Sequence, residues 1–413
     1  MSTAAVTALA EPTKPVPARW VAAISLANVG LFTAWFGPIQ VLLGREAQAL
    51  APAHKEAALG VVVGAGAAFA LVASPLFGAL SDRTVSRHGR RLPWVVAGGL
   101  TGALSLLLVA FAPNVAVMTI GWCATQLTLN AMFAAIVAAV PDQVPHRQRG
   151  MVGGWLGVAQ TLGIVAGSAL AAAAGGLVAG YLACIAVLIV AAVPYLVLRR
   201  DLVLDPAHRP AWDTRAFLRG FWIDPRRHPD FGWAWLTRFL INLGNAIPLV
   251  YLLYYLQDAV RYPDPDAGVF LLTATYAGTL LLTVVAGGVA SDRLGRRKVF
   301  VLCAGVVMSA AALILAGAQT FPAAIVAAAV LGLGFGVYTS VDFALLTEVL
   351  PKAVDRAKDL GVINIADTLP QVLAPAIAAP IVTHLGGYPV LYTVSAALGV
   401  AGAVLVYRIR SVR

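Results

Sequence analysis

Three ionisable side chains stand inside long apolar runs of this chain: Arg238, Asp342 and Asp367. A charge in hydrocarbon is costly and is kept where it has a partner or a task, such as carrying a proton on a transport path. One guanidinium beside two carboxylates has chemistry of its own. It can neutralise one acid and leave the other to take up a proton. The same side chains can also form a purely structural ion pair that ties helices together. Each belongs to a polar row at helical spacing: Arg238 with Asn242 and Asn245, Asp367 with Asn364 and Gln371, Asp342 with Tyr338. Uncharged rows lie elsewhere: Asn28 and Trp35; Trp122, Gln126 and Asn130; Gln160; and Tyr276 beside Thr275, Thr279 and Thr283. Amides bond hydroxyl groups and aromatic faces cover an apolar ring, so these rows suit a neutral, polar, ring-bearing solute. Taken singly, the amides read equally well as interhelical bonds, and the tryptophans as packing.

Apolar elements must position these groups. The chain is 60% hydrophobic and 12% charged, with a mean hydropathy of +0.83, more apolar surface than a water-soluble fold of 413 residues can hide. Twelve apolar spans are read, at roughly 20–43, 56–80, 93–112, 115–140, 151–173, 176–198, 231–257, 267–290, 299–319, 321–349, 359–384 and 387–407. Most are long enough to cross a hydrocarbon core of about 30 Å as helices. Arg238, Asp342 and Asp367 then lie about 10–13 Å from the same membrane face, at 1.5 Å per residue.

The net charge of +10 follows topology and does not point to nucleic acid. Of 29 Lys and Arg, 25 fall on one side of the spans, and Arg45, Lys55 and Arg261 on the other. Lys and Arg concentrate in cytoplasmic loops, which predicts a multi-pass protein of the cytoplasmic (inner) membrane with both termini in the cytoplasm. Cys123, Cys184 and Cys303 sit singly in different spans, so neither a disulfide framework nor a metal site is expected. No cofactor motif is present. Gly332-Leu-Gly-Phe-Gly336 lies within an apolar span and follows no strand, which reads as helix packing and not as a phosphate loop.

The chain also repeats itself. Gly78-Ala-Leu-Ser-Asp82-Arg83, closing on Gly89-Arg90-Arg91, recurs 210 residues later as Gly288-Val-Ala-Ser-Asp292-Arg293, closing on Gly295-Arg296-Arg297. Pro38 matches Pro248, and Pro141 matches Pro351, at the same spacing. A tandem duplication follows: six helices in 1–198, a linker at 199–229 and six helices in 230–413.

The duplicated Gly-x-x-x-Asp-Arg loop between spans 2 and 3, and again between 8 and 9, resembles the signature of the major facilitator superfamily. The longer first copy, Ser81 to Pro93, and the segments 141–150 and 358–367 are similar to the sugar–cation and sucrose–proton symporter branch. The resemblance implies an all-α membrane protein of two pseudo-symmetric six-helix bundles that alternate access to a central cavity. It implies a cytoplasmic gate in which Asp82 faces the start of span 11 and Lys358, and Asp292 faces the start of span 5 and Arg149. Gly78, Arg83, Arg90, Arg91, Gly288, Arg293, Arg296 and Arg297 complete that gate.

The expected function is secondary transport of a small sugar-like solute, driven by protons, by a monomer in a lipid bilayer. A proton-driven exporter of amphiphilic compounds or drugs shares the scaffold. A membrane sensor that binds without moving its ligand is the alternative of another class. An enzyme is not expected, since the six histidines are scattered and no nucleophile stands beside a base.

Overall fold

The structure is a computed structural model that describes residues 12–198, 201–209, 214, 226, 228–349 and 356–410. The apolar runs fold as helices because a helix satisfies each backbone N–H and C=O within its own segment, which hydrocarbon demands. In the first half these are α1 (Ala18–Gly37), α2 (Leu43–Leu50), α3 (Lys55–Asp82), α4 (Leu92–Ala110), α5 (Val115–Gln143), α6 (His146–Ala173) and α7 (Leu177–Leu198). In the second half they are α8 (Pro229–Val250), α9 (Leu252–Tyr254), α10 (Pro265–Leu294), α11 (Arg297–Gly317), α12 (Phe321–Val349), α13 (Arg356–His384) and α14 (Gly387–Leu405). Among the described residues eleven helices are long and apolar enough to cross a membrane, and twelve if the bent pair Pro229–Val250 and Leu252–Ala259 is one span. Short polar caps start several of them. Asn114 accepts a bond from the Val117 amide (3.0 Å) at α5, and Asp264 does so from Ala267 (3.2 Å) at α10.

The paired prolines mark paired irregularities. Pro38 opens a π-helical turn, Pro38–Leu42, that joins α1 to α2. Pro248 lies just before the 47° bend between α8 and α9, and a second π-helical turn, Tyr255–Ala259, follows it. Proline removes a helix N–H and crowds the preceding turn, so the first span of each half departs from regular α geometry near its far end. One consequence corrects the sequence reading. The first span does not stop near residue 43 but continues as helix to Leu50, carrying Arg45 and Glu46 with it.

The chain forms two compact units: Met1–Glu46 with Ala65–Trp212, and Ala47–Gly64 with Asp213–Arg413. The first turns of α3 therefore group with the second unit. In the first unit α1 packs on α6 and α7, and α4 on α5. Small residues permit this closeness. A Cβ at Gly163 would lie 2.6 Å from the Val29 carbonyl oxygen, and one at Gly98 would lie 2.7 Å from that of Thr128.

In the second unit α10 and α12 are pressed together at Gly332 and Gly336, where a Cβ would meet Thr279 Oγ1 at 2.1 Å and Thr283 Oγ1 at 2.2 Å. Gly334, on the opposite side, meets Met308 and Ala304 of α11. The glycine-rich run is thus a double packing surface. Gly153 and Gly157 behave otherwise. They share the four-residue spacing of Gly98/Gly102 and Gly163/Gly167, yet a Cβ at either would find nothing within 4 Å.

Candidate functional site

Arg238 projects from α8 between α12 and α13 and bonds at once to Asp342, which is buried, and to Asp367, which is half-buried. Its Nε donates to Asp367 Oδ1 at 2.8 Å, Nη2 donates to Asp367 Oδ2, and Nη1 donates to Asp342 Oδ2. Asn242, one turn along α8, donates to Asp367 Oδ1 at 2.7 Å, and the Tyr338 hydroxyl donates to Asp342 Oδ1 at 3.2 Å. The fork geometry of a guanidinium suits this arrangement, with two parallel bonds to one carboxylate and a third to the other. Formal charges do not cancel: one cation faces two acids.

Around the cluster the predicted rows divide. Asn245 is buried, its Oδ1 has no hydrogen-bond partner among the described residues, and Tyr276 lies beside it. Gln371 is exposed, and the side chain of Asn364 lies outside the described residues. The threonine row of α10 bonds back along its own helix. Thr279 and Thr283 bond back to the carbonyls of Thr275 and Thr279 at 3.0 and 3.1 Å, and pack on the glycines of α12.

In the first unit, Trp35 donates from Nε1 to Gln126 Oε1 at 2.7 Å, and Asn130 Nδ2 donates to the Gln126 carbonyl at 2.8 Å. Phe32 and Phe133 crowd the Trp35 ring, with centroids 5.9 and 6.1 Å away. The result is an amide pair set in an aromatic wall. Asn28 instead donates to the Leu156 carbonyl at 3.0 Å and ties α1 to α6. Trp122 is fully buried against Gly66 and belongs to the core, while Gln160 is exposed.

A family model described as Major Facilitator Superfamily matches residues 20–272 and 234–413. The chain belongs to this superfamily. Among curated relatives it is similar to a general alpha-glucoside permease of Schizosaccharomyces pombe, at 28% identity over 123 residues, which is 25% of this chain. The match spans only 22% of the permease's length. It is also similar to the class G tetracycline resistance protein of Vibrio anguillarum, at 26% identity over 68% of this chain and 70% of that one. Its fold is that of the nucleoside transporter NupG (TM-score 0.74, 12% identity, 94% of this chain and 99% of that one). The human organic anion transporter MFSD10 (TETRAN) shares it as well (TM-score 0.69, 16% identity, 95% and 100% covered).

The loop that carries the resemblance to the major facilitator superfamily is tied into its own half. Gly89 has a φ of +97°, and a Cβ there would collide with Asp201. Gly295, its counterpart in the repeat, has a φ of +60°. Glycine alone adopts such values freely, which accounts for its recurrence before both Arg-Arg pairs.

Arg91 donates to Asp82 Oδ1 at 2.5 Å, to Asp142 Oδ2 at 2.7 Å and to the Ser81 hydroxyl. Arg90 bonds the same Asp142 through Nε (3.0 Å) and Nη2 (2.5 Å). Asp201 Oδ2 accepts from the backbone amides of Arg91 and Leu92, both at 2.7 Å. Burial opposes the charge on Arg91, yet its bonds to Asp142 and Asp82 outweigh this and raise its pKa further. Burial pushes Asp201 above the usual carboxylate range, against the pull of the backbone amides of Leu92, Arg91 and Leu202. Sequence reasoning missed Asp142 and Asp201. Asp142 was visible only as the acid after Pro141.

The other predicted gate residues are placed as follows. A Cβ at Gly78 would meet nothing within 4 Å, and Arg83, Arg293 and Arg296 are on the surface or half-buried. Arg149 donates to the carbonyls of Val144 (3.0 Å) and Pro141 (3.1 Å), closing the end of α5. Arg297 is half-buried. The side chains of Asp292 and Lys358 and the surroundings of Gly288 lie outside the described residues, and with them both expected latches.

Proposed function

We propose that this superfamily member moves a small, neutral, ring-bearing polar solute of the sugar class in symport with protons, by alternating access between its halves. Arg238, Asp342 and Asp367 hold the coupling proton. The observation that carries the reading is the single guanidinium bridging two acids on three different helices. That cluster is complete when it also holds a proton, and its bonds rearrange when the proton leaves. Asn242, Asn245, Tyr276, Tyr338, Asn364 and Gln371 in one half, and Asn28, Trp35, Gln126, Asn130 and Gln160 in the other, are the proposed solute contacts. The Trp35–Gln126–Asn130 network supports it best, offering amides beside aromatic faces. The basic side of the spans, held to be cytoplasmic, fits a protein of the inner membrane with both termini inside.

The test uses purified protein in proteoliposomes, with external pH followed after addition of labelled sugars. Solute-driven alkalinisation is expected in the wild type and at least tenfold less in Asp342→Asn or Asp367→Asn. Full proton coupling in both variants excludes these acids.

A second reading, proton-driven export of an amphiphilic compound, is favoured by one finding: the tetracycline resistance protein aligns over more of this chain than the permease does. In cells, gradient-dependent accumulation of the solute supports uptake, and gradient-dependent depletion of an amphiphile supports export.

A further inference from the structure

The sequence confines buried charge to the second half, but the structure finds another in the first. Glu46, on α2, is 5% exposed. It is reached because the π-helical turn at Pro38–Leu42 continues the first span instead of ending it. Tyr181 of α7, fully buried, donates its hydroxyl to Glu46 Oε2 at 2.5 Å. Among the described residues this is the only hydrogen bond to the carboxylate, and no cation forms an ion pair with it. α7 turns two more titratable groups toward the first span: Cys184, one turn on, whose Sγ packs on Gly37, and Tyr195, whose ring meets that of Trp20 edge-on at 6.3 Å. On its own helix the neighbour in sequence is Arg45, which has a partner of its own.

The second half contains a counterpart that shows what is unusual here. Asp258 lies in the π-helical turn Tyr255–Ala259 at the far end of that half's first span. Tyr388, from that half's last span, donates to Asp258 Oδ2 at 3.1 Å. Each half thus sets an acid at the end of its first span and bonds it to a tyrosine from its last. Asp258, however, also accepts from Lys55 Nζ at 2.8 Å, and its side chain is 38% exposed. The second acid is solvated and paired with a cation. The first has neither. An ionised carboxylate buried with a single hydroxyl donor carries a large desolvation cost, and the neutral acid does not.

We propose that Glu46, held by Tyr181, is a proton-binding site of the first unit, at the membrane face opposite the basic loops. A proton from water adds to the carboxylate oxygen, and the acid's O–H and the tyrosine hydroxyl then share the hydrogen bond. The site is separate from the Arg238 cluster and stands whether or not that cluster couples transport.

Two measurements on the reconstituted full chain test it without a transport assay. The first is infrared difference spectroscopy between about pH 9 and about pH 5, a range that spans carboxylate and perturbed-carboxylate titration. A carbonyl band of a protonated acid is expected in the wild type. It should disappear in Glu46→Gln, persist in Asp342→Asn and Asp367→Asn, and move to higher frequency in Tyr181→Phe, where the carbonyl loses its bond. The second needs no substitution. A hydrophobic carbodiimide, which attacks protonated carboxyls, should modify Glu46 as read by peptide mass spectrometry, with labelling that falls as pH rises. Asp258 should remain unmodified. A wild-type band that Glu46→Gln leaves unchanged, or carbodiimide that never marks Glu46, makes the Glu46–Tyr181 bond a structural tie and overturns the proposal. Loss of coupling in Asp342→Asn or Asp367→Asn bears on the other site alone.

Discussion

Arg238 is held by two acids, so its replacement unbalances more than one bond. Arg238→Ala leaves buried Asp342 and Asp367, whose side chain is 34% exposed, facing each other without a cation. Removing one partner of a fully buried pair costs about 3–5 kcal/mol, and the solvent at Asp367 makes the cost here smaller. A clear drop in the thermal unfolding midpoint is expected in detergent or nanodiscs. Adding Asp367→Asn to Arg238→Ala removes one of the facing charges and should recover part of that drop. If the double variant is less stable than the single one, the charge-balance account fails. Arg238→Lys is expected to fold, yet to lose the proposed proton-coupled uptake by tenfold or more, because one ammonium point charge cannot reproduce the fork that spans both acids.

These three residues were legible in the sequence because ionisable groups inside apolar runs are few. Their joining into one cluster was not. Spacing along a helix places Asn242 above Arg238, but it says nothing about whether α12 and α13 both lean on α8. Glu46 was hidden for a different reason. Arg45, Glu46 and Gln48 read as a polar outer loop, and only the turn at Pro38 shows that the helix runs through them.

Among the elements, glycine spacing predicted close helix pairs but not which pairs are close. Gly98 and Gly163 meet neighbouring backbone, whereas Gly153 and Gly157 have the same four-residue spacing and meet nothing. A repeat of small residues marks a face that permits approach, and tertiary packing decides whether a partner comes. The difference is measurable. Gly332→Ala places a methyl 2.3 Å from the Tyr276 carbonyl oxygen, a backbone atom that cannot swing aside, so α10 and α12 must separate. Overpacking of this kind costs about 1–3 kcal/mol. Gly153→Ala meets open space and replaces a poor helix former, so it should be neutral or stabilise by up to about 1 kcal/mol. Equal unfolding midpoints for the two variants would contradict the packing assigned to α10 and α12.

On the scale of the whole molecule, duplication supplied the scaffold, and each half then acquired its own charges. The loop sequence is shared, and in the first copy it builds a network: Arg90 and Arg91 on Asp142, Arg91 on Asp82, and Asp201 of the linker beneath Gly89 and Arg91. The linker is therefore fastened to the first half at its start, and the fastening has a pH signature. Burial raises Asp201 above the usual carboxylate range despite three backbone donors, so the folded chain keeps its proton at a pH where the unfolded chain has released it. In that window the unfolded state binds fewer protons, and stability falls as pH rises from the ordinary carboxylate value through the raised one. Above the window the cost is fully present. Asp201→Asn cannot ionise, so the variant's unfolding midpoint relative to wild type should climb across the window and then level off. A difference that stays flat with pH would assign the slope to other acids and leave Asp201 as a hydrogen-bond acceptor without a titration of its own.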